Sequence, residues 1–386
     1  MGSILNFIFE HSENDINGGK YCQMGQLRNK VLKNYSFTTN FRLKNGFKNI
    51  LFYECPNNHM DLLKYVEKEL SDFVISNDLK ILVANIADPT HKDIINSVKD
   101  KINKNILSKV IFMDVNTSLK GEYTFDYFLE EGVKDFKYYF QNNTNDLGYI
   151  SEQITLKELD NYRNKKFLSF NRIVTKYHRY RLLCDYVKHD LSDSYFSFIE
   201  LDKTFKGCKK EINKKNIFDK FDLNVIKKTF DIVPLELDTK NSKDKIGFKT
   251  NNTFKKDLFL DSCINIVTET SMFYNELFIS EKIFKPILSY QPFIVLGPVN
   301  YLKRLKYYGF KTFDNFWDES YDKIEDSSKR YDKVLQTILE LNKKSIDELN
   351  NLYKSLKEIC IYNRNHFVNL KINTFDSTLK KIENEW

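Results

Sequence analysis

Residues 263–318 read CINIVTETSMFYNELFISEKIFKPILSYQPFIVLGPVNYLKRLKYYGFKTFDNFWD, and this stretch decides the fold. Apolar and β-branched residues alternate with polar ones over 263–270, which predicts a β-strand. Ser280 is placed to cap a helix of about ten residues that opens with Glu281 and Lys282. A second apolar run follows at 293–296. Strand, helix and strand in this order predict a βαβ unit and therefore a parallel sheet.

The Glu281-Lys282 pair stands where such a unit binds anions. The carboxyl ends of parallel strands and the N-termini of helices attract negatively charged ligands. At that place the Lys282 ammonium can meet a diphosphate, and the Glu281 carboxylate can accept hydrogen bonds from ribose hydroxyls. The alternative is that both are ordinary residues of a first helical turn, where the helix dipole favours an acid.

Composition bounds the class of protein. A length of 386 residues predicts two domains, and 41% hydrophobic residues supply packed cores and exclude a disordered chain. The net charge of +7 is uneven, because residues 1–150 carry 18 Lys+Arg against 19 Asp+Glu and residues 151–386 carry 42 against 34. The excess of basic over acidic residues therefore lies in the same part of the chain as Lys282. It suits a diphosphate-bearing ligand better than a long nucleic-acid track.

Several classes of site are not predicted. The six cysteines are scattered without a CxxC pair, which indicates reduced thiols and no zinc site. No GxGxxG motif is present, so a dinucleotide cofactor is not expected. No apolar window reaches the length of a membrane span, and residues 4–10 predict a first strand rather than a signal peptide. We therefore expect a cytoplasmic protein.

Strands and helices alternate along the whole chain. Strands are predicted at 47–54, 79–87 and 110–115, with a helix at 90–104. The polar run NNTNDL at 142–147 marks a domain boundary, which gives domains at 1–150 and 151–386. A second alternation follows, with strands predicted at 167–170 and 195–201, a helix at 176–189, and long C-terminal helices at 320–342 and 344–372. The fold class expected is α/β, with two Rossmann-like domains.

The decisive stretch also resembles a known family. The segments FISEKIFKP (278–286) and QPFIVLG (291–297) are similar to the donor-binding segment of α1,3-fucosyltransferase-like enzymes and of related phage and large-virus glycosyltransferases. Those families carry a (Tyr/Phe)-x-(Thr/Ser)-Glu-Lys motif, a helix, and a Pro-(Phe/Val)-(Ile/Val)-x-x-Gly strand. The run GFKTFDNFWDESYD (309–322) is similar to the family's ending. The resemblance covers about the second half of the chain and implies a GT-B fold, in which two Rossmann-like domains face a cleft.

The resemblance also implies a set of donor-binding residues. The runs SFNR (169–172) and HRYR (178–181) are similar to the segment that opens the family's donor domain. Arg179 best matches the family's phosphate-binding arginine, Arg172 is close behind, and Arg181 stays open as a further choice. Solvated arginines on a helix face are the alternative. The substrate-binding residues expected here are Asn171, Arg172 and Arg179.

For Glu269 and Asp88 the sequence leaves open whether the residue has a chemical or a structural role. Glu269, in the cluster Glu269-Thr270-Ser271, either contacts the base or ribose of the donor or caps its loop. The general base that deprotonates the acceptor hydroxyl should be a carboxylate at a strand end of the first domain. Asp88 is our first choice, although it would serve equally well as a helix N-cap. The other carboxylates in this pool are Glu10, Glu54 and Asp114.

Together these features predict a glycosyltransferase, hexosyl or pentosyl, that uses a UDP- or GDP-linked sugar. We expect an inverting reaction without a metal or other cofactor, because no convincing Asp-x-Asp pair is present and GT-B enzymes use Arg and Lys on the leaving diphosphate. The acceptor would be a glycan or a hydroxymethylated base of phage DNA, and the location the cytoplasm, that of the host for a phage or viral protein. A non-catalytic nucleotide-sugar or nucleic-acid binding module is the alternative, and a sugar-nucleotide epimerase is a further rival.

Overall fold

The computed structural model describes residues 5–8, 35–39, 42–55, 70–85, 92–102, 104–114, 123–124, 154–173, 177–200, 223–233, 235, 237, 256–270, 272, 277, 279–280, 282–370 and 375–385. Contacts divide the chain into two compact units. The first unit consists of Met1–Glu130, Asn275–Phe278 and Ile372–Trp386, and the second of Glu131–Tyr274 and Ile279–Lys371.

The first unit contains a six-stranded sheet in which every described strand pairing is parallel. The strands are β1 (Leu5–Ile8), β2 (Ser36–Thr38), β3 (Lys48–Cys55), β4 (Lys80–Asn85), β5 (Val110–Asp114) and β6 (Tyr123–Thr124). Their spatial order is β2-β1-β3-β4-β5-β6. The helices between them are α1 (Leu70–Ser76), α2 (Lys92–Lys101) and α3 (Lys104–Leu107).

Burial explains the apolar run of β4, whose residues 81–84 are all buried. Ile81 and Val83 of β4 belong to one core cluster with Ile95 and Val98 of α2. Strands of a parallel sheet that are covered on both faces lose the apolar-polar alternation of half-exposed strands. Truncating such a core residue to alanine typically costs about 2–5 kcal/mol.

The second unit contains a four-stranded sheet whose described pairings are also parallel. Its strands are β7 (Lys165–Ile173), β8 (Tyr195–Glu200), β9 (Ser262–Thr268) and β10 (Phe293–Leu296), in the spatial order β10-β9-β7-β8. The chain runs outward from β7 to β8 and then returns to the other side of β7 to form β9 and β10. The strand order therefore reverses between β7 and β9. In parallel α/β sheets, ligands bind at the carboxyl ends of the strands where such a reversal occurs.

The helices of the second unit begin and end with recognisable signals. They are α4 (Tyr177–Lys188), α5 (Leu223–Ile232), α6 (Lys256–Asp261), α7 (Phe284–Leu288), α8 (Tyr301–Tyr307), α9 (Ser327–Asn342) and α10 (Ile346–Val368). Asp326 caps α9 by accepting a hydrogen bond from the Lys329 N–H at 2.7 Å. Ser345 and Glu348 form a capping box at the start of α10. Short 3-10 turns lie at Leu156–Asp160 and Ser320–Lys323.

Arg163 fixes α10 to the amino ends of β7 and β9. Its Nη1 donates to the carbonyl oxygens of Phe259 and Ser262 at 2.6 and 2.7 Å. Its guanidinium lies 3.6 Å from the ring centroid of Tyr353 on α10. The guanidinium is therefore balanced by carbonyl dipoles and an aromatic face.

Arg330 holds chain segments together at the opposite edge of the sheet, where the strands have their carboxyl ends. Its Nε donates to the Gly297 carbonyl at 3.1 Å and its Nη2 to the Met272 carbonyl at 2.5 Å. Its Nη1 donates to the carbonyls of Ile324 and Glu325 at 2.5 and 3.0 Å. Burial lowers the pKa of Arg330 to about 10, which still leaves the side chain charged at neutral pH. One buried cation thus holds the segments that follow β9 and β10.

The chain returns to the first unit at its end. Helix α11 (Phe375–Glu385) contacts the strands of that unit, because Tyr35 donates to Asp376 at 2.9 Å and Lys48 donates to the Glu383 carbonyl at 2.8 Å. The sequence predicts neither this helix nor its location, since it assigns all of 151–386 to the second domain. The predicted boundary near residue 150 lies outside the described residues and stays a prediction.

The predicted fold class is confirmed: the chain is α/β, with two Rossmann-like parallel sheets and long C-terminal helices. The predicted strands at 47–54, 79–87, 110–115 and 293–296 correspond to β3, β4, β5 and β10. Cys184, Cys263 and Cys360 are buried free thiols, as expected. No helix in the described part of the chain combines the length and the apolar character that crossing a membrane requires.

Arg330→Met should destabilise the second unit, because it leaves four carbonyl groups, two in buried and two in part-buried contacts, without their donor. We expect a loss of about 3 kcal/mol or more and a fall in melting temperature of about 5–10 °C. Differential scanning calorimetry measures the change, with the neighbouring exposed Lys329→Ala as the matched control. A melting temperature that stays within a degree of the parent would contradict the role given to Arg330.

Candidate functional site

The carboxyl ends of β7 and β9 are joined by a chain of buried polar side chains. Thr268 Oγ1 donates to Asn171 Oδ1 at 2.6 Å, and Asn171 Nδ2 donates to Ser169 Oγ at 3.0 Å. Ser169 Oγ in turn donates to the Ile266 carbonyl at 2.8 Å. Both ends of the Asn171 amide are therefore bonded within the sheet. These contacts give Asn171 a structural role at the junction of the two strands.

Glu269, directly after β9, is the centre of the site. Its side chain is 1% exposed. Oε2 accepts from the Ser280 hydroxyl at 2.5 Å and from the Thr270 N–H at 3.3 Å, while Oε1 accepts from the Tyr301 hydroxyl at 2.5 Å. A buried carboxylate is stable only when its oxygens are hydrogen-bonded. Of the two roles that the sequence leaves open for Glu269, these contacts support the structural one.

Lys282 lies against two of the residues that bond to Glu269. Its Nζ is 3.1 Å from Thr270 Oγ1 and 3.3 Å from Ser280 Oγ. The carboxylate fixes the Ser280 hydroxyl directly and the backbone of Thr270 through its N–H, and these two residues hold the ammonium. The Lys282 ammonium is thereby positioned at the carboxyl end of β9.

The helix after Lys282 differs from the prediction. Helix α7 has five residues and begins at Phe284, with Ile283 at its N-cap and no side-chain capping bond. Ser280 is therefore not the N-cap, because its hydroxyl donates to Glu269 instead. The helix ends early because Tyr290 adopts a positive φ of 53°, which turns the chain into β10. Lys282 consequently lies in a turn before the helix.

The first turn of α4 packs against the same strand end. His178 Nε2 is 2.8 Å from the Glu269 carbonyl oxygen and must carry the proton, since a carbonyl only accepts. Arg179 Nη2 donates to the carbonyls of Thr268 and Glu269 at 3.2 and 3.4 Å. Arg179 and Lys282 therefore come from different elements but contact neighbouring residues at the end of β9, Arg179 at Thr268 and Glu269 and Lys282 at Thr270. That these two cations bind a diphosphate stays a prediction.

Arg181 does not share this site. Its guanidinium forms an ion pair with Asp332 and lies 3.9 Å from the ring centroid of Tyr331, both on α9. Asp185, one turn further along α4, accepts a hydrogen bond from the Tyr331 hydroxyl at 2.8 Å. Burial raises the pKa of Asp185 to about 6. Arg181 thus belongs to the buried contact between α4 and α9, which makes Arg179 the better candidate for a ligand contact.

The N-terminus of α8 is already occupied by a carboxylate of the chain. Asp322 accepts hydrogen bonds from the N–H groups of Leu302 and Lys303 at 2.8 and 3.0 Å. Nearby, Glu319 accepts from the Phe313 N–H at 2.8 Å. Burial raises the pKa of Glu319 to about 7 and also raises the pKa of Asp322. Asp322 holds the start of α8, and with it Tyr301, in place, while Glu319 holds the segment that follows the helix.

Several predicted site residues cannot be placed. Glu281, Ser271, Asp88 and Glu10 lie outside the described residues. Arg172 lies on β7, Glu54 on β3 and Asp114 on β5, but their side chains are also outside the description. Among the residues that are described, no group of three or more His, Cys, Asp or Glu side chains is placed to hold a metal ion.

Tyr301 belongs to the site because it donates a hydrogen bond to Glu269, and the sequence did not predict this contact. It stands 32 residues after Glu269, and nothing in the local pattern links the two. The only sequence signal was its place at the start of the helix that follows β10. In a parallel sheet that helix begins at the same edge as the carboxyl ends of the strands.

Tyr301→Phe should weaken the site, because it removes one of the donors to a buried carboxylate. We expect the free energy of unfolding of the second unit to fall by about 1–3 kcal/mol. Chemical denaturation measures the loss, with the exposed Tyr307→Phe on the same helix as the control. Combining Tyr301→Phe with Glu269→Gln should give a total smaller than the sum of the single effects. Strict additivity of the two changes would show that the contact does not exist in solution.

Glu319→Gln should change how stability depends on pH. The Glu319 pKa rises from 4.5 in the unfolded chain to about 7 on folding, so the folded state binds the proton more tightly. Stability conferred by this group is present below pH 4.5 and is lost as the pH rises towards 7. Glutamine keeps the acceptor for Phe313 and removes the titration, so the fall in melting temperature over this range should become shallower.

Some fall in melting temperature with rising pH should persist in the Glu319→Gln variant, because burial also raises the pKa of Asp185 and of Asp322. The exposed Glu325→Gln is the matched control and should leave the slope unchanged. A Glu319→Gln profile parallel to that of the parent would refute the assigned titration.

Comparison with known proteins gives distant structural likenesses only. One is to an alpha1,3-fucosyltransferase with GDP, at 10% identity over 92% of this chain and 91% of that chain, with a TM-score of 0.35. Another is to a glycosyltransferase from Rickettsia africae ESF-5, at 12% identity over 100% of this chain and 98% of that chain, with a TM-score of 0.31. Both TM-scores are too low for either likeness to assign a function to this chain. No protein-family model and no curated protein matches the chain.

Proposed function

We propose that this protein is a glycosyltransferase that moves a sugar from a nucleoside diphosphate to an acceptor hydroxyl. The observation that carries the proposal is the meeting of Lys282 and Arg179 at the end of β9, where the strand order of the sheet reverses. This is the place in a parallel α/β sheet where nucleotide ligands bind. The resemblance of residues 278–297 to the donor segment of fucosyltransferase-like enzymes supports the same assignment.

The chemistry requires positive charge at this place. Breaking the bond between the anomeric carbon and the phosphate leaves negative charge on the departing diphosphate. Lys282 supplies an ammonium held by two hydroxyl groups, and Arg179 a guanidinium at the N-terminal turn of α4, where the helix dipole is also positive. Fixed groups of this kind stabilise the leaving group without reorganisation during the reaction. We therefore propose a reaction that uses these cations rather than a metal ion.

Further parts of the proposal rest on the family resemblance. Glu281 would accept hydrogen bonds from the ribose, and Arg172 would contribute to the donor site. Asp88 would act as the general base of an inverting displacement. The donor would be UDP- or GDP-linked, the sugar a hexose or pentose, and the acceptor a glycan or a hydroxymethylated base of phage DNA. The resemblance to phage and large-virus enzymes favours a cytoplasmic reaction, in the host if such a genome encodes the chain.

Lys282→Ala should weaken the binding of UDP or GDP by about 10- to 150-fold, because a charge-assisted hydrogen bond contributes about 1.5–3 kcal/mol. Isothermal titration calorimetry measures the affinity, and Lys282→Arg should retain most of it. The exposed Lys343→Ala on the same unit is the matched control. Equal affinity of Lys282→Ala and the parent for both nucleotides would overturn the proposed site.

Slow hydrolysis of the donor separates a transferase from a non-catalytic binding module. The parent should release free sugar from either UDP- or GDP-linked donors, and Lys282→Ala should do so far more slowly. Tight nucleotide binding without any release of sugar would favour the binding module instead.

A further inference from the structure

A surface rich in tyrosine and lysine lies on the second unit, apart from the residues of the proposed nucleotide site. It consists of Lys303, Arg304, Lys306, Tyr307, Lys311 and Tyr362, and we name it the tyrosine–lysine surface. Tyr307 is 75% exposed and Tyr362 is 39% exposed, which is unusual for large aromatic side chains. We propose that this surface binds single-stranded nucleic acid.

The surface is one rigid structure made of two elements. Helix α8 ends in a Schellman motif, in which Gly309 N–H donates to the Lys306 carbonyl at 2.9 Å and Phe310 N–H to the Leu305 carbonyl at 3.1 Å. Gly309 has a φ of +89°, and a Cβ there would lie 2.7 Å from His366 Nε2 on α10. Only glycine therefore allows the end of α8 to approach α10 this closely.

Hydrogen bonds then join the turn to α10. The Tyr362 hydroxyl donates to the Gly309 carbonyl at 3.1 Å. The Asn363 side chain accepts from the Lys311 N–H and donates to the Lys311 carbonyl, both at 2.8 Å. Tyr307 and Tyr362 are consequently held on a common, preformed surface. A preformed surface loses little conformational entropy when a ligand binds.

Cations accompany each tyrosine. The Arg304 guanidinium lies 4.8 Å from the ring centroids of both Tyr307 and Tyr308. Lys311 Nζ lies 4.2 Å from the ring centroid of Tyr362. The exposed acids nearby are Asp314, which pairs with Lys306 at 2.7 Å, and Glu358, one turn before Tyr362 on α10. Asp322 and Glu319 also interact with Lys306, but both are buried beneath the surface. Exposed lysine and arginine therefore exceed the exposed acids, so the surface favours an anionic partner.

The combination of charge and exposed rings favours single-stranded nucleic acid over other polyanions. Single strands bind where cations follow the phosphates and aromatic rings stack with the unpaired bases. An anionic membrane would need exposed aliphatic side chains to insert, and the exposed large hydrophobic residues of this surface are its two tyrosines. An acidic polysaccharide would use the charge but has no aromatic bases to stack on Tyr307.

Fluorescence anisotropy with a labelled oligothymidylate of about 20 nucleotides tests the proposal. The parent should bind the oligonucleotide. A plot of the logarithm of its affinity against the logarithm of salt concentration should have a slope of about −2 to −3, because the four cations of the surface would each neutralise one phosphate. Tyr307→Ala should weaken binding by about 5- to 100-fold, while Tyr307→Phe, which keeps the stacking ring, should bind like the parent. Lys303→Ala should make the slope shallower by about 0.7.

Control variants at the far end of α10 decide whether the effect is local. Tyr162 is 53% exposed and donates to Asp347, about 20 Å along α10 from Tyr362. Tyr162→Ala and Lys344→Ala should bind the oligonucleotide like the parent. The proposal is overturned if the parent fails to bind at low salt, or if the controls lose as much affinity as Tyr307→Ala. It is equally overturned if Tyr307→Ala weakens the binding of phosphatidylserine vesicles or of hyaluronate but does not weaken the binding of the oligonucleotide.

Binding of the oligonucleotide does not require glycosyl transfer, so this test is independent of the proposed function. Lys282→Ala should bind the oligonucleotide like the parent even where it has lost affinity for UDP or GDP. A loss of both kinds of binding in Lys282→Ala would mean that the oligonucleotide occupies the nucleotide site and not the tyrosine–lysine surface.

Discussion

The buried carboxylate of Glu269 is the constraint on which the candidate site depends. A carboxylate withdrawn from water must be hydrogen-bonded, and here its donors come from three separate segments. Thr270 follows β9, Ser280 lies before α7, and Tyr301 begins α8. Satisfying one buried charge therefore fixes the mutual positions of all three segments. Lys282 inherits its position from two of them, through the hydroxyls of Thr270 and Ser280.

Two arginines provide the frame around this carboxylate. Arg163 secures the amino edge of the second sheet and Arg330 the carboxyl edge, and both donate to main-chain carbonyl groups. Such bonds hold irregular segments that no helix or strand ladder supports. Arg330 in particular joins the segments after β9 and β10, which flank the cations of the candidate site. The positioning of Lys282 and Arg179 thus rests on buried polar contacts as much as on apolar packing.

The local pattern of the sequence predicts most of the fold but less of the site. Apolar runs predict β9 and β10, and the alternation of strands and helices predicts two parallel sheets. The five-residue length of α7 could not be predicted, because it depends on the positive φ of Tyr290 and on the contact of Ser280 with Glu269. The structural role of Glu269 and the contact of Arg181 with α9 depend on residues far away in the sequence. Helix α11 was missed for the same reason, since its contacts are with β-strands of the first unit.

In the proposed donor complex, the ammonium of Lys282 and the guanidinium of Arg179 receive a diphosphate at the carboxyl end of β9. A crystal structure with bound UDP or GDP provides the test. We expect diphosphate oxygens within hydrogen-bonding distance of Lys282 Nζ, with the contacts of Glu269 to Ser280 and Tyr301 unchanged. Nucleotide bound away from the junction of β7 and β9, or a Lys282 side chain directed away from the diphosphate, would contradict it.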